Sequence, residues 1–261
     1  MEENILDKLA AHARERVAEA KLKVSLKDMM EMAFTAPEKG EFAFEKALSG
    51  TGIHFICECK KASPSKGLIA PEFPYLEIAR EYEAAGASCI SVLTEPKWFL
   101  GSNDYLKDIS DAVKIPCIRK DFTVDEYMIY EAKALGASAV LLICAILDDD
   151  ELKHFIDIAD GLGMTSLVEA HDETEVQRAA GAGARVIGVN NRNLKDFTVD
   201  INNSIRLRKL VDPDILFVAE SGIKTAEDIK VLVENGVNGV LIGETLMRSA
   251  DKKAMLDELR G

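Results

Sequence analysis

A glycine followed by alanine or valine and then a short apolar run recurs four times along this chain. The copies are Gly86-Ala87-Ser88-Cys89-Ile90-Ser91-Val92-Leu93, Gly136-Ala137-Ser138-Ala139-Val140-Leu141-Leu142-Ile143, Gly183-Ala184-Arg185-Val186-Ile187-Gly188-Val189 and Gly236-Val237-Asn238-Gly239-Val240-Leu241-Ile242. Their glycines lie 50, 47 and 53 residues apart. Further apolar runs fall between them, at 115–118, 165–168 and 215–219, and another precedes them at 53–57. Together these predict eight strands, roughly 25 residues apart where the count is regular, as in an α/β barrel. Positions 124–135, 148–162, 173–180 and 226–235 carry apolar residues at spacings of three and four, the pattern of a helix lying on a sheet. Glycine ends most of these segments, where it favours the C′ position. Strand and helix in strict alternation give a parallel sheet, and eight such units close it into a (β/α)8 barrel. An open doubly wound sheet is the alternative, but no Gly-x-Gly-x-x-Gly follows the first strand.

At 261 residues and 48% hydrophobic, the chain can bury one sizeable core. We therefore expect one barrel domain over 1–261, with 1–50 as an N-terminal helical extension. Within it, 4–23 opens with Ile5, Leu6, Leu9 and Ala10 and continues strongly charged, and 26–34 reads as a second helix. Such an extension would cap the barrel or cover its mouth.

A formal charge of −13, from 45 acidic and 32 basic residues, argues against nucleic acid or an anionic membrane as partner. It leaves room for a small anion, because a cleft can hold a local positive field inside an acidic shell. Cys57, Cys59, Cys89, Cys117 and Cys144 sit in or beside apolar runs, and we expect free buried thiols. Cys57-x-Cys59 has no second Cys/His pair near it in sequence, so no metal is expected. With no apolar run near ~20 residues and no signal-peptide core, the expected setting is a soluble, reducing cytoplasm.

Barrels of this kind carry function at the C-terminal ends of their strands. Those ends are Glu58 and Lys60 after the first strand, Arg119-Lys120-Asp121-Phe122 after the third, and Glu169 after the fifth. Asn190-Asn191-Arg192 follow the sixth, Glu220-Ser221-Gly222 the seventh, and Gly243-Glu244 the eighth. Glu58 and Lys60, two apart on a strand, share a face, and burying both is costly unless they are paired or used. The polar run Ser63-Pro64-Ser65-Lys66-Gly67 follows directly. Ser221-Gly222 and Gly243, before a helical turn at 244–248, fit the phosphate cradle that barrels build after strands seven and eight. Glu244 would have to turn its carboxylate away and lend only its N–H. Lysines at the mouth, if crowded by other cations, would have lowered pKa values suited to proton transfer near neutrality. Structural pairs Glu58–Lys60 and Lys120–Glu169, or a Schiff-base lysine, remain open. These residues alone support a barrel enzyme acting on a phosphorylated anion.

At these positions the chain resembles the indole-3-glycerol phosphate synthase family. The resemblance rests on Glu58-x-Lys60-x-x-Ser63-Pro64-Ser65-Lys66-Gly67, Val92-Leu93-Thr94-Glu95, Arg119-Lys120-Asp121-Phe122, Leu167-Val168-Glu169 and Gly188-Val189-Asn190-Asn191-Arg192. It continues through Glu220-Ser221-Gly222-Ile223 and Leu241-Ile242-Gly243-Glu244-Thr245-Leu246-Met247. The resemblance implies closure of the indole ring of 1-(2-carboxyphenylamino)-1-deoxyribulose 5-phosphate with loss of carbon dioxide and water, without cofactor or metal. It implies Lys120 as the acid at the substrate carbonyl and Glu169 as its partner carboxylate. Lys60 would hold the substrate carboxylate and serve as candidate acid for dehydration. Glu58 and Asn190 would line the same pocket, and Arg192 would lie near the anthranilate carboxylate. The phosphate would meet Ser63, Ser221, Gly222, Gly243 and the N–H of Glu244. Phe99, Phe122, Leu141, Leu194 and Leu241 would form the apolar ring pocket. Cys57, Cys59 and Cys144 stand where aliphatic residues are expected, with Cys59 facing the helices. A small phosphorylated anthranilate derivative is the expected partner, with neither nucleic acid nor membrane, and a monomer or weak homodimer the expected state. The alternatives are an enzyme like phosphoribosylanthranilate isomerase, whose Cys/Asp pair and missing Glu-x-Lys run disfavour it, and a non-catalytic phosphometabolite-binding barrel.

Overall fold

The computed structural model describes residues 5–193 and 197–261. Eight parallel strands close into a barrel: β1 (His54–Cys59), β2 (Cys89–Leu93), β3 (Cys117–Lys120), β4 (Ala139–Ile143), β5 (Thr165–Ala170), β6 (Val186–Asn190), β7 (Leu216–Glu220) and β8 (Gly239–Ile242). Each strand pairs with the next, and β8 closes on β1 in a register running from His54↔Gly239 to Cys57↔Ile242.

The repeated glycines do not begin the strands. Gly86, Gly136, Gly183 and Gly236 all have positive φ, between 77° and 93°, and terminate the preceding helices. In each case the following N–H reaches back to a carbonyl in the last helical turn: Ala87 to Tyr82, Ala137 to Ala132, Ala184 to Ala179 and Val237 to Leu232, at 2.9–3.1 Å. This is the 6→1 bond of a Schellman cap, with the buried Ala or Val supplying its apolar contact. The strand starts three residues after each glycine, so the sequence repeat records a helix stop and a strand start together.

The helices around the barrel are α4 (Tyr75–Ala84), α5 (Asn103–Ala112), α6 (Glu126–Ala134), α7 (Asp149–Gly161), α8 (Glu173–Gly181), α9 (Asn202–Arg208), α10 (Ala226–Glu234) and, past β8, α11 (Glu244–Arg248) and α12 (Lys252–Arg260). Ser102, Asp125, Asp148, Asp172 and Thr225 accept N–H bonds at the starts of α5, α6, α7, α8 and α10. Such caps fix where a loop ends and a helix begins.

The extension comprises α1 (Ile5–Lys23), α2 (Leu26–Thr35) and α3 (Ala43–Leu48), and it serves both ends of the barrel. Leu9, Ala10, Ala13 and Val17 of α1 are buried, while Ile5, Leu6 and Leu9 line the mouth. Arg16 clamps Asp121, just past β3, with bonds of 2.6 and 3.1 Å. At the opposite end Phe44 and Leu48 of α3 are fully buried, and the Glu45 N–H donates to Thr165 Oγ1, at the start of β5, at 3.2 Å. Among the described residues no helix is long and apolar enough to cross a membrane.

Candidate active site

Strand pleat decides which charges enter the barrel. On β3, Arg119 points outward, donating to the Met128 carbonyl at 3.0 Å and Asn103 Oδ1 at 3.1 Å and pairing with Glu131 at 2.7 Å. Lys120 therefore points inward. Its Nζ lies 3.0 Å from Glu169 Oε2, on β5, and 3.3 Å from Glu220 Oε2, the last residue of β7. Asn190 Nδ2 donates to the other Glu169 oxygen at 3.4 Å. The Glu220 side chain fits because it reaches over Gly188 on β6, where any Cβ would stand 2.4 Å from Glu220 Oε1.

A second pair comes from β1 and the residue after it. Lys60 Nζ lies 2.5 Å from Glu58 Oε1, and Ser91 Oγ donates to Glu58 Oε2 at 3.1 Å. A Cβ at Gly243 would sit 2.7 Å from Glu58 Oε1 and 3.4 Å from Lys60 Nζ. Glycine is needed there for the carboxylate's space as well as for close approach of the backbone to a ligand.

The expected lowering of a catalytic lysine's pKa is not what the barrel produces. Burial alone would push Lys120 down, but Glu169, Glu220 and Glu58 outweigh it and hold the ammonium well above its usual range. The expectation assumed neighbouring cations, whereas the closed sheet brings carboxylates from three strands. Burial opposes ionisation of Glu169 too, yet Lys120 and His171 keep it well below the ordinary carboxyl range. Glu220 moves the other way: burial raises it, Lys120 only partly offsets this, and the charges of Glu169 and Glu58 add to it, bringing it to about 7. Three carboxylates surround Lys60 and Lys120, and Glu220 holds its proton near neutrality.

Glu58, Glu169, Glu220, Lys60 and Lys120 line one cavity of about 900 Å³ at the barrel mouth, together with Asn190 and Arg192. Ser63, Ser221, Gly222, Gly243 and Glu244 line it too. Because β7 and β8 border β1, this second group lies across the barrel from β3–β5. Ser221 and Gly222 both adopt left-handed φ, 66° and 86°, a costly choice for serine, and Thr245 Oγ1 donates to the Ile223 carbonyl at 3.2 Å, tying the two loops together. Glu244 pairs its carboxylate with Arg248 at 3.1 Å and lies 3.8 Å from Lys66. The Ser-Pro-Ser-Lys-Gly run is a small antiparallel ribbon, Ala62–Ser63 against Gly67–Leu68.

Phe99 and Phe122, with ring centroids 6.0 Å apart, join Leu141 and Leu241 as apolar wall. Leu6 and Leu9 of α1 extend that wall, as an extension covering the mouth would. Leu194 lies outside the described residues. All five cysteines are buried free thiols. Charges of α12 reach Cys57 (Arg260) and Cys59 (Lys252), consistent with both facing the helices. Two residues escaped the sequence reading: Glu220, noted only as a strand end, and His171, which stands two positions after Glu169 and so on its face.

A closed barrel with a buried lysine–carboxylate cluster in its mouth is the architecture of a (β/α)8-barrel enzyme. A model of the family described as indole-3-glycerol phosphate synthase matches residues 6–259. The indole-3-glycerol phosphate synthase of Ruminiclostridium cellulolyticum is 61% identical over 257 residues, covering 98% of this chain and 99% of that one. The protein of the same name from Endomicrobium trichonymphae is 56% identical over 256 residues, covering 98% and 99%. Among solved structures, 3-hexulose-6-phosphate synthase aligns with a TM-score of 0.65 at 17% identity, covering 80% of this chain and 98% of that one, which speaks to fold alone. This chain belongs to the indole-3-glycerol phosphate synthase family.

Proposed function

We propose that this barrel performs the reaction of its family, a carboxy-lyase step of tryptophan biosynthesis. It closes the indole ring of 1-(2-carboxyphenylamino)-1-deoxyribulose 5-phosphate with loss of carbon dioxide and then water. The observation that carries the residue assignment is Lys120 held between Glu169 at 3.0 Å and Glu220 at 3.3 Å inside the cavity. Attack by an electron-rich arene on a ketone needs a proton at the ketone oxygen, and Lys120, kept protonated by its carboxylates, supplies it. Glu169, kept ionised, stabilises the cationic intermediate and accepts a proton from it. Glu220, near 7, is matched to proton exchange at neutral pH. Lys60, in its pair with Glu58, holds the substrate carboxylate with Arg192 and then serves the dehydration, while Asn190 orients Glu169.

Ser63, Ser221, Gly222, Gly243 and the Glu244 N–H take the phosphate, with Lys66 and Arg248 supplying charge at the rim. Phe99, Phe122, Leu141 and Leu241 sandwich the aromatic ring, and Leu194 would complete that pocket. Anchoring the phosphate across the barrel from Lys120 fixes the ketone against the acid and excludes bulk water. Adding the carboxyphenylamino-deoxyribulose phosphate to purified protein should generate indole fluorescence; none at any substrate concentration would refute the proposal.

A further inference from the structure

His171 lies one residue beyond β5, between two carboxylates. Its Nε2 faces Glu169 Oε1 at 3.3 Å, and its Nδ1 lies 3.0 Å from Glu175 Oε2, on α8. The same Glu175 oxygen accepts the His171 backbone N–H at 2.8 Å, and Asn203 Nδ2, from α9, donates to the His171 carbonyl at 3.1 Å. The ring is thus fixed from both sides and only 19% exposed. A neutral imidazole has one N–H and one lone pair, so it would aim a lone pair at one of the carboxylates. Only the imidazolium sets positive charge against both, hydrogen-bonded to Glu175 through Nδ1 and in ion-pair contact with Glu169 through Nε2, which lies outside hydrogen-bond geometry.

We propose that His171 is a positioning residue for the family's reaction: clamped by Glu175, its imidazolium holds Glu169 Oε1 so that Oε2 is presented, ionised, to Lys120. This inference rests on the role proposed for Glu169. The groups facing Glu169 are Lys120 from β3, Asn190 from β6 and His171 itself. Glu220 on β7 and the Cys144 thiol after β4 also feel its charge. Glu58, Glu169 and Glu220 place three carboxylates around Lys60 and Lys120, and His171 supplies a third cation. Without it, Glu169 would compete for the proton that Lys120 must deliver to substrate. Burial alone would lower His171, but Glu169 and Glu175 outweigh it and raise the imidazole to about 10, so it stays charged across the neutral range.

The test is the pH dependence of kcat for His171→Asn, which keeps a hydrogen-bond donor and loses the charge. An opposite charge at this range lowers a carboxyl pKa by about 1–3 units. Removing it should move the acidic limb of the kcat profile up by about one unit or more, with activity largely recovered by raising pH. Glu175→Gln, which frees His171 to deprotonate, should shift the limb the same way by less. A His171→Asn profile that is scaled down but unmoved would show a merely structural role and overturn the inference. Glu169→Gln separates the two readings. If it turns over normally, the Glu169 assignment itself fails. If it is inactive while the His171→Asn limb stays in place, only the His171 inference falls.

Discussion

Two lysines enter the same cavity, each beside buried glutamate, yet their surroundings differ in kind. Lys60 meets Glu58, a partner two residues away and so on the same strand face, and the pair is completed by Ser91 from the adjacent strand. Lys120 meets Glu169 and Glu220, carried by β5 and β7 and brought to it only by closure of the barrel. One arrangement is nearly local and neutral within itself. The other gathers an excess of carboxylate around one ammonium, sets Glu169 and Glu220 on opposite sides of the ordinary carboxyl range, and so holds base and acid forms side by side at one pH. A pair built locally suits holding a substrate; a cluster assembled from distant strands suits moving protons.

The contrast can be attacked from its catalytic side first. Glu169→Gln should lower kcat by about 10²–10⁴. Because it acts as a unit with Lys120, adding Lys120→Met should cost little more, and full additivity in steady-state kinetics would contradict the shared role. A change at Gly243 sharpens the comparison from the binding side. Gly243→Ala places a methyl 2.7 Å from Glu58 Oε1, so it should disturb the local pair and raise KM on the order of tenfold, the equivalent of about 1.4 kcal/mol. A larger loss in kcat than in affinity would mean that Glu58–Lys60 belongs to ring closure as well as to the dehydration.

Glu220 offers the smallest effect and the most specific sign. Its folded value of about 7 lies above the ordinary 4.5, so between those values the folded protein holds a proton that the unfolded chain has released. Stability contributed at low pH is therefore lost as pH rises through this window. Glu220→Gln removes the cost, and should raise Tm by a few degrees at pH 8 and hardly at all at pH 5. A Tm that falls at pH 8 would show that the Lys120–Glu220 pair is a net stabiliser.

Much of this was legible in the chain because it is encoded locally. The Gly-Ala and Gly-Val repeats mark four helix stops whose positive φ glycine tolerates, each strand beginning three residues past its glycine, and with the apolar runs between them they locate eight units. Strand ends gave Glu58, Lys60, Lys120 and Glu169 by the same logic, and the structure brings them into one cavity. What stayed hidden depends on distant pairing. The Lys120–Glu169 pair was one of the readings left open, but nothing in the sequence brings Glu220 and Glu58 to bear on the same lysine. Gly188 reads as a strand glycine until Glu220 is seen filling its missing side chain. His171 looks like a loop residue until α8 delivers Glu175 to its ring. The extension was expected to serve one end of the barrel, yet α1 lines the mouth while α3 packs at the other end.

The most direct test compares Lys120→Met with Lys60→Met in a single-turnover assay of indole fluorescence, with substrate binding and Tm measured on both. The account predicts that Lys120→Met binds substrate within a few-fold of the parent protein but forms product at least about 10²-fold more slowly. Lys60→Met should lose affinity first and keep a measurable rate at saturation. A Lys120→Met protein that closes the ring at near-parent rates would contradict the assignment of the first proton to Lys120.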